Sequence, residues 1–278
     1  MEEVGRFQLG EWRARGPGWG DEKLAKEFVS FVDVESERRL ARALRALCPE
    51  AGFYGEETEQ SIGPGLTWVV DPVDGTTNYL SGLDWFCISV ALFRSDSPIS
   101  GDASPEGGRP ILGIVHRPAT GEWWWSGRGL GAYHRVGARP DGFDVSGPDV
   151  LSPVGPCPLA QALVCTGTPF RSPDTVGAFM TAAADVLVAA RDLRRLGSAA
   201  LDLCNVASGW LQAFWEVDLQ PYDVGAALLL LEETGCEITT IGGARYDPFS
   251  SRSLVTGLPG ATAELRKLVA ARYGELRD

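Results

Sequence analysis

Histidine and basic residues are scarce in this sequence. Only His116 and His134 occur among 278 residues, and 25 Lys and Arg stand against 37 Asp and Glu, which gives a formal net charge of −12 and a pI near 4.7. Nucleic-acid-binding surfaces need an excess of positive charge, because contacts to phosphate supply most of their affinity. We therefore expect no nucleic-acid partner. A phosphate ligand would need bound cations or a nest of backbone amides.

Long apolar runs and closely paired cysteines are absent as well. No uninterrupted apolar stretch approaches the roughly 18 residues of a membrane span, so no membrane partner is expected. Residues 1–20 lack the apolar core of a secretory signal. None of the six cysteines forms a Cys-x-x-Cys pair, and a chain of this size does not need disulfides for its core. Free thiols are the expected state, so the sequence indicates a cytoplasmic protein.

Two kinds of pattern divide the chain near residue 150. Before it, strand patterns at 67–70, 86–93 and 111–116 predict a largely antiparallel sheet, with a long loop over residues 95–110 at a hairpin tip. After it, strand and helix patterns alternate. We therefore expect a layered α/β protein with alternating helix and sheet layers. Its predicted parts are an N-terminal α+β subdomain at 1–150, a C-terminal α/β subdomain at 151–278, later strands at 161–166 and 211–217, and helices at 174–191, 198–209 and 223–234.

The first 50 residues predict one clear helix, over residues 34–47. Residues 1–20 give only a short, weakly amphipathic segment that ends at Gly16-Pro17-Gly18. In the predicted helix, apolar side chains recur at helical spacing, with Arg and Glu on the opposite side. The predicted buried face consists of Val34, Leu40, Ala43, Leu44 and Leu47.

Carboxylates mark three short segments. The most informative one follows a buried strand pattern and reads Asp71-Pro72-Val73-Asp74-Gly75-Thr76-Thr77-Asn78. An isolated carboxylate at the end of a buried strand is costly, and two that face the same way repel each other unless a cation lies between them. Mg²⁺ takes oxygen ligands of this kind together with water and substrate phosphate. The other two segments are Gly55-Glu56-Glu57-Thr58 and Pro221-Tyr222-Asp223.

The same segment also offers an anion site. Gly75 allows close approach of the backbone, and residues 76–78 are typical of a helix opening whose free amides bind phosphate beside the metal. The alternative is that Asp71 and Asp74 only cap that helix. A lone Asp-x-x-Asp would favour capping, but the complete string at 68–79 is far more specific.

Residues 68–79 resemble the signature of the inositol monophosphatase family, in which Asp-Pro-hydrophobic-Asp-Gly-Thr-Thr-Asn follows a strand. Further segments are similar to other motifs of this family, and they occur in the family's order from about residue 23 to the C-terminus. These segments are Phe28–Asp33, Gly55–Thr58, Arg195–Ala200, Tyr222–Ala227 and Glu232–Cys236.

The resemblance implies a Mg²⁺-dependent, Li⁺-sensitive phosphatase that acts on a small phosphorylated metabolite and forms a homodimer. Phosphoryl transfer from a monoester is catalysed mainly by positioning and charge neutralisation, so no histidine is required. Bound Mg²⁺ lowers the pKa of water and holds the entering and leaving oxygens. The implied ligands of two or three Mg²⁺ are Glu56, Asp71, the Val73 carbonyl, Asp74 and Asp223.

The resemblance also implies catalytic and substrate-binding roles. Thr76 would hold the nucleophilic water, oriented with help from Glu56 and Asp33, and the amides of Gly75 and Thr76 would hold the phosphate. Glu216 matches a family carboxylate that binds hydroxyls of the substrate. The residues implied to line the substrate pocket are Gly75, Thr76, Ser198, Ala199 and Glu216.

The sequence leaves alternatives open for both the substrate and the functional class. Inositol monophosphate or a related polyol or sugar phosphate is the first expectation, and histidinol phosphate or fructose bisphosphate is the second. The segment Ser81–Trp85 departs from the family pattern after the signature, which leaves the substrate open. A catalytically weak regulatory or binding protein with the same fold is a further hypothesis. A local basic patch at Arg191, Arg194 and Arg195 leaves room for a nucleic-acid contact.

Taken singly, several of these residues also have ordinary structural interpretations. Asp33 could be a surface residue before the helix at 34–47, and Asp223 could be a helix cap. Glu216 lies between Trp215 and Val217 and could belong to the polar face of a strand. Trp124 or its neighbours could lie in a subunit interface, where Trp is enriched.

Overall fold

Helices and sheets alternate as layers in this protein. The structure, a computed structural model, describes residues 1–24, 27–58, 60–95, 108–137, 149–152 and 154–274, without the side chains of residues 21–29. A small hairpin pairs β1 (Asp21–Leu24) with β2 (Glu27–Val29). The helices of the described residues are α1 (Glu2–Arg15), α2 (Phe31–Leu47), α3 (Thr76–Leu80), α4 (Val176–Ala189), α5 (Ala199–Ala207), α6 (Pro221–Thr234) and α7 (Ala261–Tyr273).

Eight strands form the larger sheet. They are β3 (Gly52–Gly55), β4 (Gln60–Ser61), β5 (Leu66–Asp74), β6 (Cys87–Arg94), β7 (Arg109–Arg117), β8 (Glu122–Gly127), β9 (Gly131–Val136) and β10 (Asp149–Val150). Their order across the sheet is β10-β9-β8-β7-β6-β5-β3-β4, and every neighbouring pair is antiparallel except β3 with β5. The largely antiparallel sheet expected for the first half is therefore confirmed.

Five strands form the smaller sheet. They are β11 (Leu163–Thr166), β12 (Asp192–Arg194), β13 (Ala213–Val217), β14 (Glu237–Thr239) and β15 (Ser253–Gly257), in the order β12-β11-β13-β15-β14. β11 is parallel to both β12 and β13, whereas β15 is antiparallel to its neighbours. The predicted alternation of strands and helices holds for β11 to α6. The sequence prediction missed β12, β14, β15 and α7.

The layered arrangement follows from the positions of the apolar faces of the strands and helices. β5 is buried on both sides, which explains the apolar run Trp68–Val70 within it. Trp68 and Val70 pack on one side with Val4 of α1 and Leu40 of α2, whereas Val69 packs on the other side with α5 and α6. α4 and α7 cover the outer face of the smaller sheet. The alternating helix and sheet layers expected from the sequence are thus confirmed.

α6 lies between the two sheets beside α5, which also contacts strands of both. Twelve of its 14 residues are buried, and it contacts β5, β6, β7 and β8 on one side and β14 on the other. A helix that is apolar all round must be covered all round, which is why its sequence runs Ala-Ala-Leu-Leu-Leu-Leu. None of the helices in the described part of the chain is long and apolar enough to cross a membrane.

The helix predicted at 34–47 begins earlier, at Phe31, and buries a face that only partly coincides with the predicted one. Ser30 caps it, because its Oγ accepts from the Val32 amide at 3.2 Å. Leu40 and Leu44 of the predicted face are buried, but Val34, Ala43 and Leu47 are exposed, so the prediction was wrong at these three positions. The helix buries polar side chains, and apolar spacing cannot identify these. Its buried residues are Val32, Asp33, Ser36, Glu37, Leu40, Ala41 and Leu44.

The first 20 residues contain more structure than the sequence predicted. α1 extends over 14 residues and packs against α2 and β7. Its Gln8 is fully buried, and Nε2 donates to the Pro72 carbonyl at 2.8 Å and to Ser36 Oγ at 3.1 Å. Pro72 lies between Asp71 and Asp74, the two carboxylates of the segment at 71–78. The N-terminal helix therefore supports that segment directly.

Two other expectations concern the region from β6 to β9. Residues 96–107 of the loop predicted at 95–110 lie outside the described residues, although the flanking β6 and β7 do pair with each other. Trp124 is 2% exposed, and its Nε1 donates to Ser208 Oγ at 3.2 Å. Trp124 therefore packs inside the chain, and the interface alternative was wrong for this residue.

Candidate active site

The carboxylate segments at 55–58 and 71–78 come together because they belong to neighbouring strands. β3 and β5 run parallel with Gly55 opposite Val70, so Glu56 and Asp71 come next to each other. Their carboxyl groups lie within hydrogen-bonding range of each other. Two carboxyl groups can share a hydrogen bond only when one of them holds a proton, because an ionised carboxylate is an acceptor only. Two ionised carboxylates this close would repel each other, and either a proton or a cation would relieve that repulsion.

A bulge in β5 gives Asp74 a separate environment. Asp71 pairs with Ser89 and Asp74 with Cys87, which leaves one extra residue on β5. Asp74 Oδ2 accepts from Ser198 Oγ at 2.6 Å and from the Ala200 amide at 2.7 Å. These donors belong to the first turn of α5, where free amides and the helix dipole favour a negative charge. Asp74 thus links the signature segment to the C-terminal half.

Gly75 and Thr76 form the turn between β5 and α3. Gly75 has a φ of 96°, and a Cβ there would lie 2.8 Å from the Trp85 carbonyl oxygen, so a larger residue is excluded. Thr76 Oγ1 lies 3.0 Å from Asp33 Oδ1 and 2.9 Å from the Val73 carbonyl oxygen. A hydroxyl has one proton, so Thr76 donates to one of these oxygens at a time.

Asp33 and Asp223 both occupy the third position of a helix and close a capping box. Asp33 is fully buried and accepts from the Ser30 amide at 2.9 Å, so its interpretation as a surface residue was wrong. Asp223 Oδ2 accepts from the Gln220 amide at 2.7 Å and from Arg171 at 3.1 Å. Asp223 therefore does cap α6, as its structural interpretation proposed, and it also faces the cavity described next.

These segments surround one cavity of about 310 Å³ between the two sheets. All but one of the site residues named from the sequence line it. The exception is Asp33, which lies behind Thr76 and reaches the cavity through that hydroxyl. The residues from the sequence analysis that line the cavity are Glu56, Asp71, Val73, Asp74, Gly75, Thr76, Ser198, Ala199, Glu216 and Asp223.

Burial and mutual repulsion make these carboxylates hard to ionise together. Burial raises the pKa of Asp74 to about 7, and the charge of Asp223 adds to this against the hydrogen bond from Ser198. Burial also raises the pKa of Glu56 well above its usual range, followed by the charge of Asp223. For Asp71 the charge of Glu56 is the second cause. A cation in the cavity would remove this repulsion.

The donor set suits Mg²⁺ rather than a softer metal. It consists of carboxylate oxygens and the Val73 carbonyl, with no His or Cys required. Among the residues that the structure describes, no group of three or more His, Cys, Asp or Glu side chains is arranged to enclose a metal ion. Mg²⁺ does not need such an enclosure, because it usually keeps several waters and takes one or two carboxylates together with substrate phosphate. The buried, mutually repelling carboxylates therefore fit a hard divalent cation.

Glu216 faces the cavity from β13 of the smaller sheet. Its neighbours Trp215 and Val217 are buried, whereas the carboxyl group of Glu216 lies on the cavity wall. Burial raises the pKa of Glu216 well above its usual range, and the charge of Asp223 raises it further. Glu216 thus comes from a different sheet than Asp71 and faces the same cavity.

Sequence reasoning missed three charged residues of the cavity. Arg171 and Arg195 line it, and Arg195 donates to Thr168 Oγ1 at 3.2 Å. Asp202 is 2% exposed and accepts from Cys165 Sγ at 3.1 Å and Trp85 Nε1 at 3.3 Å. Burial raises the pKa of Asp202 to about 8. Arg195 belongs to a recognised motif and gave a usable signal, whereas Asp202 lies outside these motifs in a largely apolar helix.

Comparison with known proteins decides the family. A family model described as the inositol monophosphatase family matches residues 13–274. The chain belongs to the inositol monophosphatase family. Members of this family are metal-dependent phosphatases that hydrolyse phosphate monoesters, so the resemblance seen in the signature segments and the reaction class expected from it are confirmed.

Individual relatives and a solved structure agree with this family. An inositol-1-monophosphatase of Caulobacter vibrioides is 33% identical over 241 residues, covering 84% of this chain and 83% of the relative. A fructose-1,6-bisphosphatase/inositol-1-monophosphatase of Aquifex aeolicus is 32% identical over 238 residues, covering 85% and 80%. The extragenic suppressor protein suhB of Bartonella henselae has a crystal structure similar to this inositol monophosphatase family member, with a TM-score of 0.80, 27% identity and coverage of 96% and 94%.

Proposed function

We propose that this chain is a Mg²⁺-dependent phosphatase for a small, hydroxyl-rich phosphate monoester such as inositol monophosphate. One observation carries the proposal. Four carboxylates from three distant segments, Glu56, Asp71, Asp74 and Asp223, line a single cavity in which they repel one another. When they are ionised together, their negative charge would exclude a phosphate dianion unless cations lie between them. The relative from Caulobacter vibrioides carries the name of this activity.

The metal ligands are proposed to be those implied by the signature. Two or three Mg²⁺ would be held by these four carboxylates and the Val73 carbonyl. Bound Mg²⁺ supplies an activated water and neutralises charge on the transferring phosphoryl group. Asp74 is held in place for this role by Ser198 and the first turn of α5, and Asp223 by the amide of Gln220.

Thr76 and Asp33 are proposed to orient the attacking water. Asp33 Oδ1 accepts the Thr76 proton at 3.0 Å, which leaves the lone pairs of Thr76 Oγ1 available to accept from a water. Glu56 would take part in orienting the same water. The amides of Gly75 and Thr76 open α3 and would contact the phosphate oxygens. Asp33 is fixed by Ser30, so its Oδ1 offers the Thr76 hydroxyl a fixed acceptor before substrate binds.

The other side of the cavity is proposed to select the substrate. Glu216 would accept hydrogen bonds from ring hydroxyls, and Ala199 would contact the ring with Ser198 behind it. Ser198 Oγ donates to Asp74, so its contribution to the pocket is to hold that carboxylate as well as to line the wall. A carboxylate opposite the metal site favours a polyol over an aryl or alkyl phosphate.

A sugar bisphosphate is a second candidate substrate, favoured by Arg195. Its guanidinium lines the same cavity beside Thr168 and would neutralise a second phosphate. The relative from Aquifex aeolicus is named for both activities. Histidinol phosphate has an amine where a polyol has hydroxyls, and this amine would have to pair with the Glu216 carboxylate.

A homodimer and inhibition by Li⁺ are proposed from family membership alone. Light scattering would test the first, with a mass of about two chains expected. Phosphate release measured with increasing LiCl, against NaCl at equal concentration, would test the second.

The test of substrate class is phosphate release from a small panel at fixed Mg²⁺. Inositol monophosphate should give the highest kcat/KM, ahead of fructose 1,6-bisphosphate and histidinol phosphate. A clear preference for fructose 1,6-bisphosphate would instead support a sugar bisphosphate as the substrate. No turnover of any substrate, with Mg²⁺ still bound, would favour the regulatory alternative.

A further inference from the structure

A buried carboxylate behind the metal site is not used by any role described above. Glu37 belongs to α2 and is fully buried. Its Oε2 accepts from the Glu57 amide at 2.8 Å, and its Oε1 accepts from the Thr58 amide at 2.8 Å. The Thr58 hydroxyl donates to Oε1 as well. Three donors to one buried carboxylate form a strong, directional contact, and they fix the backbone that follows Glu56.

Gly55 brings the preceding backbone against the same carboxylate. A Cβ at Gly55 would lie 2.5 Å from Glu37 Cδ and Oε2 and 2.7 Å from Oε1. The main chain therefore packs directly on Glu37 and leaves no room for a side chain. The backbone on both sides of Glu56 therefore contacts the Glu37 carboxylate. Glu56 itself lines the cavity and lies next to Asp71.

We propose that Glu37 is a positioning residue for Glu56, which sets the loop at residues 55–58 so that the Glu56 carboxylate stands where Mg²⁺ is bound. The inference rests on the proposed role of Glu56 as a metal ligand. Glu37 itself does not line the cavity formed by the described residues. A change at Glu37 should therefore alter metal binding before it alters the chemical step.

Glu37→Gln is the direct test, with Glu35→Gln as its matched control. The side-chain amide that replaces the Glu37 carboxylate would turn its NH₂ group towards a backbone N–H, so at least one buried hydrogen bond to a charged acceptor is lost. Such a bond corresponds to roughly a ten-fold or larger change in an equilibrium constant. Glu35 lies on the same helix but pairs with Arg38 and Arg39 at the surface. The same chemical change there should leave metal binding unaltered.

The readouts are the Mg²⁺ dissociation constant from calorimetry and the Mg²⁺ dependence of aryl phosphate hydrolysis. For Glu37→Gln we expect Mg²⁺ to bind about ten-fold more weakly or worse, with the half-activating concentration raised by the same factor. Turnover at saturating Mg²⁺ should recover most of its parent value. Thr58→Ala removes one of the three donors at an exposed residue and should weaken Mg²⁺ binding in the same direction, by a smaller factor.

A purely structural role predicts a different result. In that case Glu37→Gln would lower Tm while both variants keep the parent dissociation constant for Mg²⁺, and the inference would be overturned. If Glu37→Gln does not fold, Thr58→Ala decides between the two outcomes. A parent protein that neither binds Mg²⁺ nor hydrolyses phosphate would instead contradict the proposed function, and this result is distinguishable because it does not involve the variants.

Discussion

Asp74→Asn is expected to change stability and activity in opposite directions. Asn keeps an oxygen that can accept from Ser198 Oγ and the Ala200 amide, as Asp74 does at 2.6 and 2.7 Å. It removes the negative charge that the proposed metal centre needs. We therefore expect turnover with Mg²⁺ to be abolished while the fold remains intact.

The effect on stability follows from the pKa of Asp74. Burial, with the charge of Asp223, raises this pKa from 3.8 to about 7 in the metal-free protein. The folded state therefore holds the proton more tightly than the unfolded chain, and its stability falls as the pH rises from about 4 to about 7. One pKa unit corresponds to about 1.4 kcal/mol, so ionised Asp74 lowers the free energy of unfolding by about 4 kcal/mol at pH 8. Asn cannot ionise and avoids this loss.

Urea denaturation in EDTA at two pH values provides the assay. Near pH 4 the parent and Asp74→Asn should unfold at similar urea concentrations. At pH 8 the variant should be more stable, by up to about 4 kcal/mol. Added Mg²⁺ should stabilise the parent at pH 8 far more than the variant. Equal stability of parent and variant at pH 8, or turnover of the variant close to the parent value, would refute the reasoning.

Three other substitutions test separate parts of the site. Glu216→Ala should lower kcat/KM for a polyol phosphate by roughly ten- to a hundred-fold and leave an aryl phosphate nearly unchanged, and equal losses on both would show that Glu216 serves the metal or the fold. Thr76→Val keeps the shape but removes the hydroxyl, so kcat should fall by at least about ten-fold with little change in KM, whereas an unchanged kcat would contradict a role in orienting water. Asn78→Ala removes the amide that donates to the Trp85 carbonyl at 2.8 Å and the Leu196 carbonyl at 2.9 Å. Its free energy of unfolding should fall by about 1–3 kcal/mol in urea denaturation, and an unchanged midpoint would argue against this link.

The residues that sequence reasoning placed correctly share a physical property. Asp71, Asp74 and Gly75 are consecutive or nearly so, and their conformation is set by a strand, the bulge within it and the turn that directly follows it. The conformation of such a segment is determined by residues that are neighbours in the sequence. Glu56 was placed by the resemblance of Gly55–Thr58 to a family motif, and the parallel pairing of β3 with β5 that brings it beside Asp71 was not predicted.

The supporting residues could not be placed in this way, because they act across the chain. Gln8 reaches Pro72 and Glu37 reaches Thr58 through buried hydrogen bonds between distant positions. A buried polar side chain on a helix resembles an exposed one when only apolar spacing is read, which is why the predicted face of α2 was wrong. α7 is a different case, since Leu265 and Val269 recur at helical spacing and gave a signal that the prediction did not use.

The most direct test of the central claim is a Mg²⁺ titration of phosphate release from inositol monophosphate, starting from protein treated with EDTA. The proposed site requires cations before a phosphate dianion can enter among Glu56, Asp71, Asp74 and Asp223. We therefore predict no turnover in excess EDTA and full recovery as Mg²⁺ is added. Undiminished turnover in excess EDTA would contradict the metal-dependent mechanism and with it the function proposed for this cavity.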